Sequence, residues 1–253
     1  YAYFKNKTVK IRVRNMFQID RLLLMDYIRY AMPVVLNEFM WGLGTSCNTA
    51  IIGHLGSEAG AANSVAQVAR QLAQVVVFGI SSATAIWLGK TLGEKKKEHA
   101  KAYAKQFVII SLVLGAAGGL LILASGPIVG SVLTLSDTSR RYLGFMFFVM
   151  SYFVVGQAIN TTMVCGVFRS GGDTKFGLVM DVSTMWGCSI LLGAVAAFYF
   201  HASVPVVYAI LMSDEIIKVP ICILRYRKYK WLKDVTRDDI GSCEMGIDNS
   251  DTG

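Results

Sequence analysis

The stretch QFVIISLVLGAAGGLLILASGPIVGSVLTLS, residues 106–136, contains no Asp, Glu, Lys or Arg. About 20 apolar residues are enough for a helix to cross the hydrocarbon core of a bilayer, and this stretch is longer. Two more uncharged stretches lie between Arg141 and Arg169 and between Asp181 and Asp214. The second of these contains the turn sequence HASVP, which divides it into two spans. Together the stretches predict an all-α, polytopic membrane protein.

The composition agrees with that class. Of the 253 residues, 54% are hydrophobic and only 17% are charged, against roughly a quarter charged in ordinary soluble domains. The mean hydropathy is +0.48. These values exclude a disordered or collagen-like chain and disfavour a soluble domain.

The apolar segments predict a bundle of six transmembrane helices. They lie at about 27–52, 61–88, 107–124, 142–168, 176–200 and 204–224. The third span is expected to stop at Ser125-Gly-Pro127, before a short apolar segment at 128–135 that lies at the membrane interface. Residues 22–233 form the membrane lobe, residues 1–21 a cytoplasmic linker, and residues 234–253 an acidic tail that is expected to be disordered.

The basic residues predict the orientation of the bundle. Most of the 25 Lys and Arg residues fall on the N-terminal segment, on the loops after the second and fourth spans, and beyond the sixth span. Basic residues accumulate on the cytoplasmic side, so both termini are expected there, in a multi-pass protein of the plasma (cell inner) membrane. The net charge of +8 is then explained by topology and anionic lipid headgroups, and nucleic acid is not an expected partner.

No pattern in the sequence indicates an enzyme. The motifs G-x-S-x-G, H-E-x-x-H and Walker A do not occur, and no nucleophile and base are brought to one depth of the membrane. The five cysteines are scattered without C-x-x-C or His-rich spacing, so neither a metal site nor a cofactor is expected.

Charged residues inside the predicted spans are the candidates for function, because each needs a partner or a water-filled cavity. They are Glu38, Arg70, Asp181, Asp214, Glu215 and Lys218. Glu38 and Arg70 both lie about 15 Å from the ends of their helices, at similar depth. Glu38 either binds a coupling cation or proton, or forms a buried ion pair with Arg70.

The acidic residues of the last two spans have separate expected roles. Asp181 is expected to be a structural or gating carboxylate that pairs with Arg169 or with a loop lysine. Asp214 and Lys218 are four residues apart and can pair on one helix face. Glu215 points away from that pair and is a second candidate for cation coupling.

Polar residues in three spans predict a shared cavity, although helix packing is an alternative for each. Pro33 removes a backbone hydrogen bond and either kinks the first helix or breaks it to form a site near the midplane. The candidate lining residues are Trp41 in the first span, Gln67, Arg70, Gln71 and Gln74 in the second, and Gln157, Asn160 and Thr161 in the fourth.

Four motifs in the chain resemble the multidrug and toxic compound extrusion (MATE) family. They are PVVLNEFMWGLG at 33–44, GHLG at 53–56, GKTLG at 89–93 and GVFRSGGDT at 166–174. The last is the most specific, and in it Arg169 and Asp173 bracket Gly171-Gly172 to make a tight, charge-clamped cytoplasmic turn.

The resemblance covers about residues 22–237 and is to the C-terminal half of the family. It implies one six-helix lobe of a two-lobe transporter, whose partner is an N-terminal lobe absent from this chain. It further implies export of organic cations or amphiphilic drugs in exchange for Na⁺ or H⁺, with Glu38 in the helix where family members often carry a coupling carboxylate. Two alternatives stay open: a lipid-linked oligosaccharide flippase, and a membrane scaffold subunit that transports nothing.

Overall fold

The structure is a computed structural model that describes residues 21–133 and 135–232. It is all-α, as predicted. The helices are α1 (Arg21–His54), α2 (Ser57–Gly93), α3 (Lys97–Val132), α4 (Asp137–Thr161), α5 (Thr174–Thr184), α6 (Leu191–Phe198), α7 (Val204–Leu211) and α8 (Asp214–Arg227). Two π-helical turns extend α4 and join α5 to α6, at Thr162–Phe168 and Met185–Ile190. The predicted linker, apart from Arg21, and the predicted tail lie outside the described residues.

Within the described ranges, four helices are long and apolar enough to cross a membrane. These are Ser57–Gly93, Lys97–Val132, Asp137–Phe168 and Thr174–Phe198. They contain most of the second to fifth predicted spans. The first and sixth predicted spans fall on α1 and on α7 with α8, and their passage through the membrane stays a prediction.

The prolines of α1 and α3 lie inside continuous helices. α1 passes through Pro33, so the alternative in which this residue breaks the helix is wrong. α3 passes through Ser125-Gly-Pro127 and ends at Val132, so the expected stop there is wrong as well. A proline removes one backbone hydrogen bond, whereas a helix end in lipid leaves several carbonyl groups unpaired, which explains why both helices continue.

The real discontinuity lies in the sixth predicted span. α7 ends at Leu211 and α8 begins at Asp214, with Met212 and Ser213 between them. At 1.5 Å per residue the break is about 12 Å from Val204, which is near the middle of a bilayer about 30 Å thick. Interrupted helices at this depth expose helix ends that transporters use to bind ions and substrates.

Buried side chains form two apolar clusters with a polar layer between them. Along α4 and the π-helical turn that extends it, Phe147 belongs to the first cluster and Phe168 to the second, whereas Gln157 and Asn160 between them are buried and polar. The buried polar layer comprises Asn37, Arg70, Gln74, Gln157, Asn160, Asp214, Glu215 and Lys218. Because buried polar groups are costly in a membrane bundle, this layer marks the place to look for function.

Glycines allow α3 and α4 to pack closely. A Cβ added at Gly119 would lie 2.2 Å from the carbonyl oxygen of Ser151, and one at Gly115 would lie 2.7 Å from Cβ of Ala158. The two glycines are four residues apart and share a helix face. Small residues at this spacing let membrane helices approach each other, since packing rather than hydrophobicity drives their association.

The glycine pair of the 166–174 motif forms a turn that is tied to two other helices. Gly172 has φ of +78°, which favours glycine, and a Cβ at Gly171 would lie 2.0 Å from the carbonyl oxygen of Trp231. The charges beside the turn reach outward: Arg169 pairs with Glu38 on α1, and Asp173 pairs with Arg225 on α8 at 2.8 Å. These two ion pairs were not indicated by the sequence.

Candidate functional site

Lys218 is buried at the centre of a cluster of three carboxylates. Its ammonium nitrogen lies 2.9 Å from Asp214, 3.4 Å from Glu215 and 3.4 Å from Asp181, and the residue is only 2% exposed. We call these four residues the lysine cluster. Three carboxylates facing one ammonium group leave an excess of two negative charges when all are ionised.

The helix break explains why the cluster forms on α8. Asp214 and Glu215 occupy the first turn of this helix, where the helix dipole favours negative charge. Lys218 follows them by four and three residues, so one ammonium group reaches both carboxylates. The pair of Asp214 with Lys218 is therefore present as predicted, whereas Glu215 does not point away from it.

Asp181 joins the cluster from α5. It pairs with Lys218, so its expected partners, Arg169 or a loop lysine, are wrong. Arg169 is instead bound to Glu38. Lys218 lies on a facing helix and carries three donors, which is why it can serve carboxylates from both helices.

Two asparagines hold the outer carboxylates in place. Asn37 donates from Nδ2 to Oδ2 of Asp181 at 3.0 Å, and Asn160 donates from Nδ2 to Oε2 of Glu215 at 2.7 Å. Lys218 faces the other oxygen of each carboxylate, Oδ1 of Asp181 and Oε1 of Glu215. Each of these carboxylates therefore bridges an amide and the ammonium group.

Three amide oxygens near the cluster have no hydrogen-bond donor. They are Oδ1 of Asn37, Oε1 of Gln157 and Oδ1 of Asn160, in residues that are 8%, 5% and 3% exposed. An unpaired buried acceptor costs about 1–3 kcal/mol. Acceptors without donors indicate a place for a cation or a hydrogen-bond donor.

A small cavity of about 50 Å³ adjoins the cluster and is open to the outside. Its polar wall includes the three amide side chains together with Asp181, Glu215 and Lys218. Of the residues that the sequence predicts to line a cavity, Trp41, Gln157, Asn160 and Thr161 do so here. The wall also includes Phe78, Val164 and Cys165, the last two in the π-helical turn after α4.

Glu38 and Arg169 lie on the same cavity and form an ion pair at 2.5 Å. The Glu38 side chain is 50% exposed. The alternative in which Glu38 pairs with Arg70 is therefore wrong. Arg70 is buried on α2 and interacts electrostatically with Tyr208, Asp214 and Glu215.

The polar stripe of α2 does not line this cavity. Arg70 and Gln74 are buried, Gln67 is half-buried and Gln71 is exposed. Because the electrostatic partners of Arg70 lie on α7 and α8, this part of the stripe faces the helix break rather than the cavity.

Sequence reasoning missed Asn37 and underrated Lys218. Pro33, Asn37 and Trp41 are spaced by four residues and share the inward face of α1, a spacing that would have found Asn37. Among the described residues, no three or more His, Cys, Asp or Glu side chains are arranged to hold a metal ion.

The sequence matches a family model and several curated proteins. The family model described as MatE matches residues 33–195. "Probable multidrug resistance protein NorM" of Thermotoga maritima is 24% identical over 216 residues, covering 82% of this chain and 45% of the relative. "Probable multidrug resistance protein YoeA" of Bacillus subtilis is 23% identical and covers 74% of this chain and 40% of the relative. The chain thus spans about half the length of the curated relatives it matches.

Solved structures share the fold. One, described as an outward-facing conformation of a multidrug resistance MATE family transporter of the MOP superfamily, has a TM-score of 0.74 at 16% identity and covers 85% of this chain and 47% of that one. A second, described as MATE in the straight conformation, has a TM-score of 0.75 at 17% identity, covering 87% and 49%.

Proposed function

The chain belongs to the MatE family, and from this premise we propose that it is the C-terminal six-helix lobe of a cation-coupled efflux transporter. The observation that carries the proposal is the lysine cluster on the wall of an open cavity, at the break between α7 and α8. Coverage of about half of each relative supports a second lobe as the partner.

The excess negative charge of the cluster supports exchange as the transport mode. Arg70 offsets this excess only in part, and excess charge in a largely buried site is costly, so a cation that enters from the cavity stabilises the site. Asp181 and Glu215 are the coupling carboxylates, because both lie on the cavity wall and both are oriented by asparagines. An organic cation and a small cation that compete for them would be exchanged across the membrane.

The rest of the cavity wall has the side-chain chemistry to contact amphiphilic organic cations. Trp41 and Phe78 provide aromatic surface beside the carboxylates, and a cation over an aromatic ring gains about 0.5–2 kcal/mol. Glu38 stays a candidate for cation coupling, but it is a weaker candidate than Glu215 because its carboxylate is already paired with Arg169. In this proposal the Glu38–Arg169 ion pair controls access to the cavity.

The flippase alternative is less well supported by the cavity. A pyrophosphate group needs cations that are free to bind it. The two cations on this wall, Arg169 and Lys218, are each bound to carboxylates.

The efflux proposal includes an orientation in the membrane. Both termini lie on the cytoplasmic face of the plasma membrane, as the distribution of basic residues predicts.

Ethidium efflux from cells that express the full-length protein tests the function. Export that requires an inward Na⁺ or H⁺ gradient is expected. Absence of export under either gradient, with binding of a lipid-linked pyrophosphate, would support the flippase. Absence of both export and lipid binding would support a scaffold.

A further inference from the structure

We propose that the Lys218 ammonium group is an internal cation that occupies the coupling site and competes with the transported cation. The proposal rests on the proposed function. When the coupling cation enters, Lys218 leaves Asp181 and Glu215 and keeps only Asp214. When the cation leaves, Lys218 returns.

The distances within the cluster favour such a movement. The short contact, 2.9 Å, is to Asp214 on the same helix, whereas the contacts to Asp181 and Glu215 are both 3.4 Å. A lysine carries its charge on a flexible four-carbon stem, so the group can shift while it keeps one partner. The two looser contacts are to the carboxylates on the cavity wall.

The amide oxygens show where the entering cation would bind. Asn37 and Asn160 donate their amide groups to Asp181 and Glu215, which fixes the orientation of both side chains. Their carbonyl oxygens, and that of Gln157, have no donor although all three side chains line the cavity. Carbonyl and carboxylate oxygens are the ligands that hard cations prefer, and Na⁺ is such a cation.

The charge of the site gives a physical reason why Lys218 and the cation would replace each other. Without Lys218, an empty site would hold two buried carboxylates, Asp214 and Glu215, and the half-buried Asp181, with Arg70 as a partial counter-charge from α2. An ammonium group that returns after release keeps the empty site closer to neutral, which lowers the cost of releasing the cation. It also weakens cation binding, since only the fraction of molecules with Lys218 displaced can bind.

Replacement of Lys218 by methionine tests the competition. The measurement is the Na⁺ dependence of the Tm of the purified full-length protein, at constant ionic strength with N-methylglucamine chloride as the replacement salt. If Lys218 occupies the site in nine molecules of ten, Lys218→Met binds Na⁺ about tenfold more tightly. Drug efflux is expected to slow at the same time, because release becomes harder.

Two further variants keep the experiment decisive. Lys96→Met removes a lysine from an exposed ion pair with Glu94 and is expected to leave the Na⁺ affinity unchanged. If Lys218→Met does not fold, Lys218→Met with Asp214→Asn retains the net charge of the cluster and is expected to bind Na⁺ more tightly as well. If a folded Lys218 variant binds Na⁺ no more tightly than the wild type does, the proposal is overturned. The same holds if neither the variant nor the wild type binds Na⁺.

Failure of the competition proposal can be distinguished from failure of the proposed transport function. A wild type that exports no drug contradicts the function, whatever the Na⁺ affinity of the variants. A wild type that exports drug, with an Na⁺ affinity that Lys218→Met does not raise, contradicts the competition alone.

Discussion

Glu38 on α1 and Arg169, directly after the π-helical turn that extends α4, form an ion pair beside the lysine cluster, on the wall of the same cavity. The pair joins the first helix to the glycine turn, whose other charge, Asp173, is bound to α8. Three helices that surround the cavity are thus connected at one turn. A movement of this turn would change the cavity mouth and the surroundings of the cluster together.

The Glu38–Arg169 pair is expected to modulate transport rather than drive it. Half-exposed ion pairs contribute about 0–1 kcal/mol, so Glu38→Gln should change ethidium efflux by less than about fivefold. The measurement is the initial efflux rate of the full-length protein at matched expression. A loss of gradient-driven efflux as complete as that of Glu215→Gln would assign the coupling to Glu38 instead.

The buried ion pair at the turn is expected to stabilise the bundle. Asp173 is 2% exposed and Arg225 is its partner at 2.8 Å. Arg225→Gln removes one charged partner of this buried carboxylate, which should lower the free energy of unfolding by about 1–3 kcal/mol. Thermal unfolding of the purified protein would show a clear fall in Tm.

Arg227→Gln is the matched control for this pair. Arg227 lies on the same helix but is exposed. Its replacement is expected to leave the Tm almost unchanged. Equal effects of the two substitutions would contradict a specific role for the Asp173–Arg225 pair.

A larger side chain at Gly119 is expected to disrupt the packing of α3 against α4. A Cβ there would meet the carbonyl oxygen of Ser151 at 2.2 Å, so Gly119→Ala should cost about 1–3 kcal/mol through displacement of the helices. The neighbouring Gly118→Ala meets only a side-chain carbon of Val154 at 3.6 Å and should be tolerated. A Tm for Gly119→Ala equal to that of Gly118→Ala would show that the helices are not in close contact.

The sequence predicted the elements of the fold well because the apolar stretches are long and uncharged. Residues 106–136 lie almost entirely in α3, and the predicted fourth span coincides with α4 and its π-helical turn. The sequence offered a break at Pro33 only as an alternative to a kink, and it did not indicate the break at Met212 and Ser213, because these residues carry no helix-breaking signal. Proline alone does not end a helix in lipid, where each backbone group needs a partner.

The site was predicted only in part because pairing depends on how helices are arranged. The spacing of Asp214 and Lys218 along one helix was enough to predict their contact. The contacts of Asp181 with Lys218 and of Glu38 with Arg169 join different helices, and no spacing along the chain encodes them. Equal depth suggested that Glu38 meets Arg70, but depth does not specify which faces of two helices are turned together.

The role of the lysine cluster in coupling is tested most directly by Glu215→Gln in proteoliposomes that contain the full-length protein. Ethidium transport is measured with and without a cation gradient, and Glu98→Gln is the control because Glu98 is an exposed carboxylate that pairs with Lys101. We predict that Glu215→Gln abolishes gradient-driven transport, whereas ethidium binding persists and Glu98→Gln behaves like the wild type. Gradient-driven transport at the wild-type rate in Glu215→Gln would contradict the role of the cluster in coupling.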